Sequence, residues 1–229
     1  MRSANTLWSL LGYGLVAAVI LWGSVETYQS TYQLKLNHHD FKSGLTLERP
    51  MKIAFLSDLH LRNKEGDFDR LRNITEHIAN FSPDIILLGG DFTGEHTAET
   101  LLIRERIVTG LSAFAEIAPT FTVLGNHEWW TSDDLDKWIR KAGINVIDNS
   151  SQRIWINDTA ICLRGLGDAY TGHYRMTAIP ENCGAFTVTL THDPLAIERD
   201  PEAGLYLAGH THCGQIKLPF IHPSWAPTH

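Results

Sequence analysis

Short apolar runs alternate with amphipathic stretches through the middle of the chain. MKIAFLS (51–57), DIILL (84–88) and TFTVL (120–124) are typical of strands that are buried on both faces. Between them, apolar residues recur every three or four positions from Phe68 to Ile78 and again from Thr97 to Ile117, which predicts two helices. The pattern therefore indicates alternating β and α elements.

The second half of the chain is richer in predicted strands. RIWIN (153–157), AICLRGL (160–166), AFTVTL (185–190) and GLYLAG (204–209) are short apolar runs bounded by turn residues. A short helix is predicted before them, from Asp133 to Ala142. Alternating elements followed by a strand-rich half predict an α/β fold of the layered sandwich type.

The N-terminal segment differs from the rest because the run from Leu7 to Val25 carries no charge. At about 1.5 Å per residue, such a helix spans about 28 Å, close to the hydrocarbon thickness of a bilayer. Trp8 and Trp22 lie near its two ends, where interfacial aromatic residues are favoured. The run predicts a transmembrane anchor. A cleaved signal peptide and a buried core helix are the alternatives, but no A-x-A cleavage site follows the run.

This segment suggests three parts: a transmembrane anchor at 1–25, a tether with a lead-in strand at 26–50, and a catalytic domain at 51–229. Arg2 precedes the predicted span, and Lys35 is the first basic residue after it. The positive-inside rule then places the amino terminus in the cytoplasm and the main domain on the outer side of the membrane.

Charge and cysteine content exclude some classes of protein. The net charge is −7 and the pI is about 5.9, without a cluster of Lys and Arg, which argues against nucleic acid as a partner. Three cysteines, Cys162, Cys183 and Cys213, form neither a disulfide framework nor a zinc knuckle. One pair can form in an oxidising compartment, but the sequence does not say which.

Residues typical of metal sites follow five of the predicted strands. Because ligands bind outside the carboxyl ends of strands in open α/β sheets, these residues should converge on one site. Residues i and i+2 of an extended segment point the same way, so a D-x-H or an H-x-H pair can hold one ion. The five groups are Asp58 and His60; Asp91; Asn126, His127 and Glu128; His192; and His210 and His212.

The same residues, in this order, resemble the motif set of calcineurin-like metallophosphoesterases. The matching blocks are Asp58-x-His60, Gly90-Asp91, GNHE (125–128), His192 and GHTH (209–212). The resemblance implies an α/β/β/α metallophosphoesterase sandwich. The hydrophobic N-terminus further resembles the membrane-anchored bacterial branch, some of whose members act on lipid-linked substrates such as UDP-diacylglucosamine. It therefore implies the bacterial inner membrane, with the catalytic domain on the periplasmic side.

The resemblance also implies a centre with two divalent metal ions. His127 would not bind metal but would face the phosphate as the catalytic residue. The mixed nitrogen and oxygen ligands suit Mn, Fe or Zn more than calcium. One ion would be held by Asp58, His60, Asp91 and His212, and the other by Asp91, Asn126, His192 and His210, with Asp91 bridging the two.

The predicted function is therefore a membrane-anchored, metal-dependent phosphoesterase that hydrolyses a phosphodiester or pyrophosphate bond with metal-activated water. Its substrate would be a small or lipid-linked phosphate ester, and the protein would be a monomer. A metallo-hydrolase of amide or lactam bonds is disfavoured because the HxHxDH cluster is absent. The alternative is a catalytically degenerate, membrane-tethered scaffold that binds metal. It is favoured by the short segment after GHTHCGQ, where the family's sandwich usually continues and this chain is interpreted as truncated.

Several further roles near the motifs are open to more than one interpretation. Trp129 and Trp130 directly follow GNHE, and would line the substrate site, touch a bilayer or pack in the core. Either Glu128 or Asp58 would orient His127. Cys213 stands where the family commonly has a small residue, and is interpreted as a small buried side chain.

Overall fold

The computed structural model describes residues 2–32, 34–94, 101–131 and 134–212. These residues belong to two compact units, one that includes the chain up to Asn37 and one that runs from His38 to His212. Cys213 lies outside the described residues, and so does the first part of the helix predicted from Thr97.

The first unit contains helix α1 (Arg2–Tyr32), which covers the predicted anchor and continues into the predicted tether. Among the described residues, no helix is both long and apolar enough to cross a membrane. The structure therefore does not support the predicted transmembrane helix.

The first sheet of the second unit is parallel and follows the predicted alternation of strands and helices. Its strands, in spatial order, are β1 (Ile53–Leu56), β2 (Ile85–Leu88), β3 (Thr120–Thr122) and β4 (Asn145–Val146). The helices that connect them are α2 (Glu65–Phe81), α3 (Leu101–Ile117), α4 (Asn126–Thr131) and α5 (Leu135–Lys141).

The second sheet is mixed. Strands β5 (Ser150–Ile156) and β6 (Thr159–Leu166) form an antiparallel hairpin, and β7 (Thr187–Thr191) and β8 (Leu205–Ala208) add to β6 in parallel. Within the described residues, the connections of this sheet contain one helix, α6 (Leu195–Arg199). All the predicted strands from RIWIN to GLYLAG are confirmed.

Alternate residues of β2 face two different cores. Ile86 and Leu88 pack among the helices, whereas Ile85 and Leu87 pack against the second sheet. All four side chains are fully buried, as expected for a strand that is covered on both faces. The second unit is thus an α/β sandwich in which a helical layer covers one sheet and a second sheet covers its other face.

Four local features differ from the sequence predictions. The lead-in strand is not formed, since residues 34–50 contain no strand and are mostly exposed. Strand β4 was not predicted because two residues are too few for any periodicity. Helices α4 and α6 were not predicted either, because they are six and five residues long.

Candidate metal centre

The five groups of predicted site residues meet at one edge of the sandwich. Each group follows the carboxyl end of a strand: β1, β2, β3, β7 or β8. The segments after β1 and β2 continue to pair, because the N–H groups of Asp58 and His60 donate to the carbonyls of Gly90 and Asp91. The predicted convergence is therefore present in the structure.

Asp58, His60 and His212 form the more accessible part of this cluster. Nε2 of His212 lies 3.5 Å from Oδ1 of Asp58, and the Nε2 atoms of His60 and His212 are 3.1 Å apart. Atoms of these three side chains lie close enough together to hold one metal ion. The His212 side chain is 37% exposed and the His60 side chain is 25% exposed, so the centre opens to solvent on this side.

His192, Asn126 and His210 form the buried part. Nε2 of His192 lies 3.0 Å from Oδ1 of Asn126, and Nδ1 of His210 lies 3.1 Å from the same oxygen. The Nδ1 atom of His192 hydrogen-bonds to the carbonyl oxygen of Gly89 at 2.7 Å. A carbonyl accepts, so Nδ1 carries the proton, and Nε2 is the nitrogen available to an ion, as is usual for metal-binding histidines.

Asp91 lies between the two parts. Its Oδ2 atom is 3.7 Å from Nε2 of His60, 3.3 Å from Nε2 of His192 and 3.9 Å from Nε2 of His127. Further groups able to hold an ion are His60 with Asp91 and His127, and Asp58 with Asp91 and His192. Asp91 is thus a buried carboxylate that lies within reach of both parts of the cluster.

The electrostatics separate two of the histidines. Burial, together with the neighbouring His127 and His212, lowers the pKa of His60 to about 4, although the carboxylates of Asp91 and Asp58 act to raise it. Burial also lowers the pKa of His192, but its hydrogen bond and ion pair with Asp91 outweigh burial and raise it to about 9. In the absence of an ion, His60 is therefore neutral at pH 7 and His192 is protonated, so binding of an ion must release the proton of His192.

His127 lies beside the cluster at the start of α4. Its backbone N–H donates to Oδ1 of Asp91 at 2.9 Å, and its ring meets that of His60 edge-on at 4.5 Å between centroids. The side chain is 15% exposed, so its ring reaches the surface of the site.

Five of the site residues share an unusual backbone conformation. Left-handed φ values are rare outside glycine, and side chains held in that region are often functional. The sequence gives no signal for this strain apart from the tolerance of Asp and His for the region. The site residues with positive φ are Asp58 (57°), His60 (44°), Asp91 (53°), His210 (65°) and His212 (49°).

Two glycines allow the strand ends to approach one another. A Cβ atom at Gly125 would lie 2.2 Å from Oδ1 of Asp91, and one at Gly209 would lie 1.9 Å from Oγ of Ser57. Both distances are far inside van der Waals contact. Residues 125 and 209 must therefore lack a side chain for Asp91 and the GHTH segment to reach their positions.

Glu128 has a role that the sequence interpretation missed. Its carboxylate does not orient His127 but accepts the backbone N–H groups of Asp91 (2.7 Å), Phe92 (2.8 Å) and Gly125 (2.9 Å). Burial and the nearby Asp91 raise its pKa to about 7. The contact from the third residue of α4 back to Gly125 resembles half of a capping box, and the G-x-x-E spacing is the signal that could have revealed it.

The cysteine pairing is resolved by the structure. Cys162 on β6 and Cys183 in the loop before β7 form a disulfide with a Cα–Cα distance of 5.0 Å. The bond ties the long β6–β7 connection to the second sheet.

A family model of calcineurin-like phosphoesterases matches residues 51–214, which contain all the site residues described above. The protein therefore belongs to the calcineurin-like phosphoesterase family.

Two relatives of known sequence show how similar individual proteins are to this chain. The chain is 33% identical over 187 residues to an Escherichia coli phosphodiesterase, covering 78% of this chain and 66% of the relative. It is 31% identical over 192 residues to a Bos taurus transmembrane protein with a metallophosphoesterase domain, covering 72% of this chain and 41% of the relative. The chain thus spans two thirds or less of these proteins.

Among solved structures, an archaeal phosphodiesterase aligns with 71% of this chain and 86% of its own, at 15% identity and a TM-score of 0.39. At that TM-score the two backbones differ too much for the likeness to bear on function.

Proposed function

We propose that this protein is a phosphoesterase that hydrolyses phosphodiester or pyrophosphate bonds with two divalent metal ions. The observation that carries the proposal is the position of Asp91, whose buried carboxylate contacts residues of both parts of the cluster. The proposed ligands are Asp58, His60, Asp91 and His212 for one ion, and Asp91, Asn126, His192 and His210 for the other.

The donor atoms fit such ions. The Nε2 atoms of His60 and His212 face each other at 3.1 Å beside the Asp58 carboxylate, an arrangement that a cation between them would stabilise. The Nε2 atom of His210 is buried and has no hydrogen-bond partner. Imidazole, carboxylate and amide donors together suit Mn, Fe or Zn.

When bound, the ions would polarise the phosphate oxygens and lower the pKa of a coordinated water. The residues of the chain then divide the remaining tasks. Asp91 holds both parts of the centre at a fixed separation, and Glu128 holds Asp91 and Gly125 in place. His127 faces the phosphate, where it stabilises developing charge or protonates the leaving oxygen.

Hydrolysis of bis(p-nitrophenyl) phosphate by the full chain with Mn²⁺ tests the proposal. We expect turnover that EDTA abolishes and that Asp91→Ala lowers about a thousandfold or more, because the variant lacks the shared carboxylate. Asp69→Ala is the matched control, since Asp69 is an exposed carboxylate on α2. Bound metal without turnover would instead support the scaffold alternative.

We propose further that α1 attaches the protein to a membrane and that the catalytic unit lies on its outer side. The proposal is supported by the large number of aliphatic side chains that α1 exposes, and by the disulfide, which persists in oxidising compartments. A substrate at the membrane surface, such as a lipid-linked phosphodiester, fits this location. The exposed aliphatic residues are Leu10, Leu11, Leu15, Val16, Val19, Ile20, Leu21 and Val25.

Cell fractionation and thiol labelling test this location. The full chain should sediment with membranes, and Leu15→Asp with Ile20→Asp should release it, because two buried charges oppose insertion. Cys162 and Cys183 should resist a thiol reagent until reductant is added. A full chain that remains in the supernatant would contradict membrane attachment, and rapid labelling without reductant would contradict the outer location.

A further inference from the structure

Two exposed aromatic side chains stand at the edge of the metal centre. Trp130 is 55% exposed, and its ring lies 5.3 Å from that of His127. Tyr170 is 39% exposed, and its ring lies 5.1 Å from that of His210. The two aromatic rings are 5.9 Å apart and inclined at 69°. Together they form what we call the aromatic wall.

Trp130 is held in position by the helix that carries His127. The two residues are three apart on α4, so they lie on the same side of the helix. Trp129, the adjacent residue, points elsewhere: it packs against the helical core and stacks on His173 at 3.7 Å. Adjacent tryptophans thus have different surroundings, and only Trp130 presents its ring to the site.

Tyr170 is held by the β6–β7 connection. Asp168 is fully buried and accepts the backbone N–H of Thr171 at 2.8 Å. His173 of the same connection stacks on Trp129, and the disulfide at Cys183 fixes its far end. The aromatic wall therefore joins an element of the first sheet to one of the second in a preorganised arrangement.

We propose that the aromatic wall binds an aromatic or heteroaromatic group attached to the substrate phosphorus. This proposal rests on the proposed function, since it places the phosphate beside His127. Ring groups stack on exposed aromatic faces, and an inclined pair offers both a face and an edge to a bound ring. An acyl chain would need a continuous apolar groove, whereas the wall is adjoined by the imidazoles of His127 and His210.

Two diesters that share a p-nitrophenolate leaving group test the proposal. They are phenyl p-nitrophenyl phosphate and methyl p-nitrophenyl phosphate, assayed with the full chain and Mn²⁺. Trp130→Ala should lower kcat/KM about tenfold for the phenyl ester, as expected for one lost ring contact, and about twofold or less for the methyl ester. Trp130→Phe should restore most of the phenyl preference. Trp155→Ala, at an exposed tryptophan on the edge strand β5, should change neither value.

Binding gives a second result that does not require turnover. By calorimetry, the Mn²⁺-loaded protein should bind phenylphosphonate more tightly than methylphosphonate, and Trp130→Ala should remove the difference. Equal affinities for the two phosphonates in the unaltered protein would overturn the proposal, and so would an unchanged ratio of these affinities in Trp130→Ala. If Trp130→Ala weakened binding to lipid vesicles and left this ratio unchanged, the proposal would also be overturned. If the protein hydrolysed neither ester, that result would count against the proposed function. The calorimetric comparison would still decide whether the aromatic wall binds a ring.

Discussion

The two sheets contribute different chemistry to the same edge of the molecule. The parallel sheet supplies both carboxylates, Asp58 and Asp91, and the Asn126 amide. The mixed sheet supplies imidazoles only, from the segments that follow β7 and β8. Two of the three candidate groups combine residues of both sheets, Asp58 and His60 with His212, and Asp58 and Asp91 with His192, whereas the third belongs to the parallel sheet alone. The proposed two-ion centre therefore forms only when the sheets pack together.

The largest expected effect comes from removing imidazoles on either side of this division. His60→Ala and His212→Ala should each lower activity about a thousandfold, since each removes a proposed ligand of the same ion. The double variant should be little worse than either single one, because residues that act as a unit are not additive. Comparison of kcat/KM for the three variants measures this coupling. Multiplication of the two losses would mean that the residues do not share an ion.

A smaller loss of activity is expected when a side chain is added at Gly125, where two strand ends of the parallel sheet lie close together. Gly125→Ala would place Cβ 2.2 Å from Oδ1 of Asp91 and 2.8 Å from its backbone nitrogen. We expect activity to fall about a hundredfold, because a displacement of roughly 1 Å at a reactive centre costs that much. Gly66→Ala is the control, since nothing lies near its Cβ position on α2. Unchanged activity in Gly125→Ala would show that the close approach to Asp91 is not required.

The contribution of the disulfide in the mixed sheet to the stability of the fold can be tested by removing it. Cys162→Ala with Cys183→Ala should lower the free energy of unfolding by about 3 kcal/mol, the value expected for a crosslink across 21 residues. Urea denaturation measures the change, and Cys213→Ala serves as the control for loss of a cysteine. An unfolding free energy equal to that of the control would indicate that the bond does not constrain the unfolded chain.

The smallest effect concerns Asp148, which lies between β4 of one sheet and β5 of the other. Burial raises its pKa to about 7, although the N–H of Leu124 donates to it. The folded protein thus keeps a proton that the unfolded chain loses near pH 4, so this group reduces stability as pH rises from about 4 to 7. Between pH 5 and pH 8, the free energy of unfolding of Asp148→Asn should therefore rise by about 2 kcal/mol relative to that of the unaltered protein.

Urea denaturation at the two pH values measures the effect of Asp148→Asn. Asp69→Asn is the control, because Asp69 is an exposed aspartate outside the candidate metal cluster. A difference between Asp148→Asn and the unaltered protein that is independent of pH would contradict the buried, protonated state of Asp148.

The sequence predicts where the candidate site residues converge better than it predicts the short elements around them. Each candidate ligand directly follows a run of apolar residues, so the rule that strand ends converge was enough to bring Asp91 and His192 together. Short elements are not predicted because a periodic pattern can be recognised only over a longer segment: β4 has two residues and α4 has six. The predicted lead-in strand failed because apolar alternation alone does not provide a pairing partner.

The supporting interactions depend on tertiary contacts that no local pattern reveals. Cys162 and Cys183 are 21 residues apart, and nothing near either of them distinguishes that pair from one with Cys213. The difference between Trp129 and Trp130 likewise depends on where His173 and Tyr170 lie, and those residues come from the other sheet.

We propose that the two sheets together hold two ions that share Asp91. Anomalous diffraction from crystals of the Mn²⁺-loaded protein tests it directly. We predict two peaks about 3.5–4 Å apart on either side of the Asp91 carboxylate, the separation typical of two-metal sites. A single peak, or two peaks that do not share Asp91, would contradict the proposed two-ion centre.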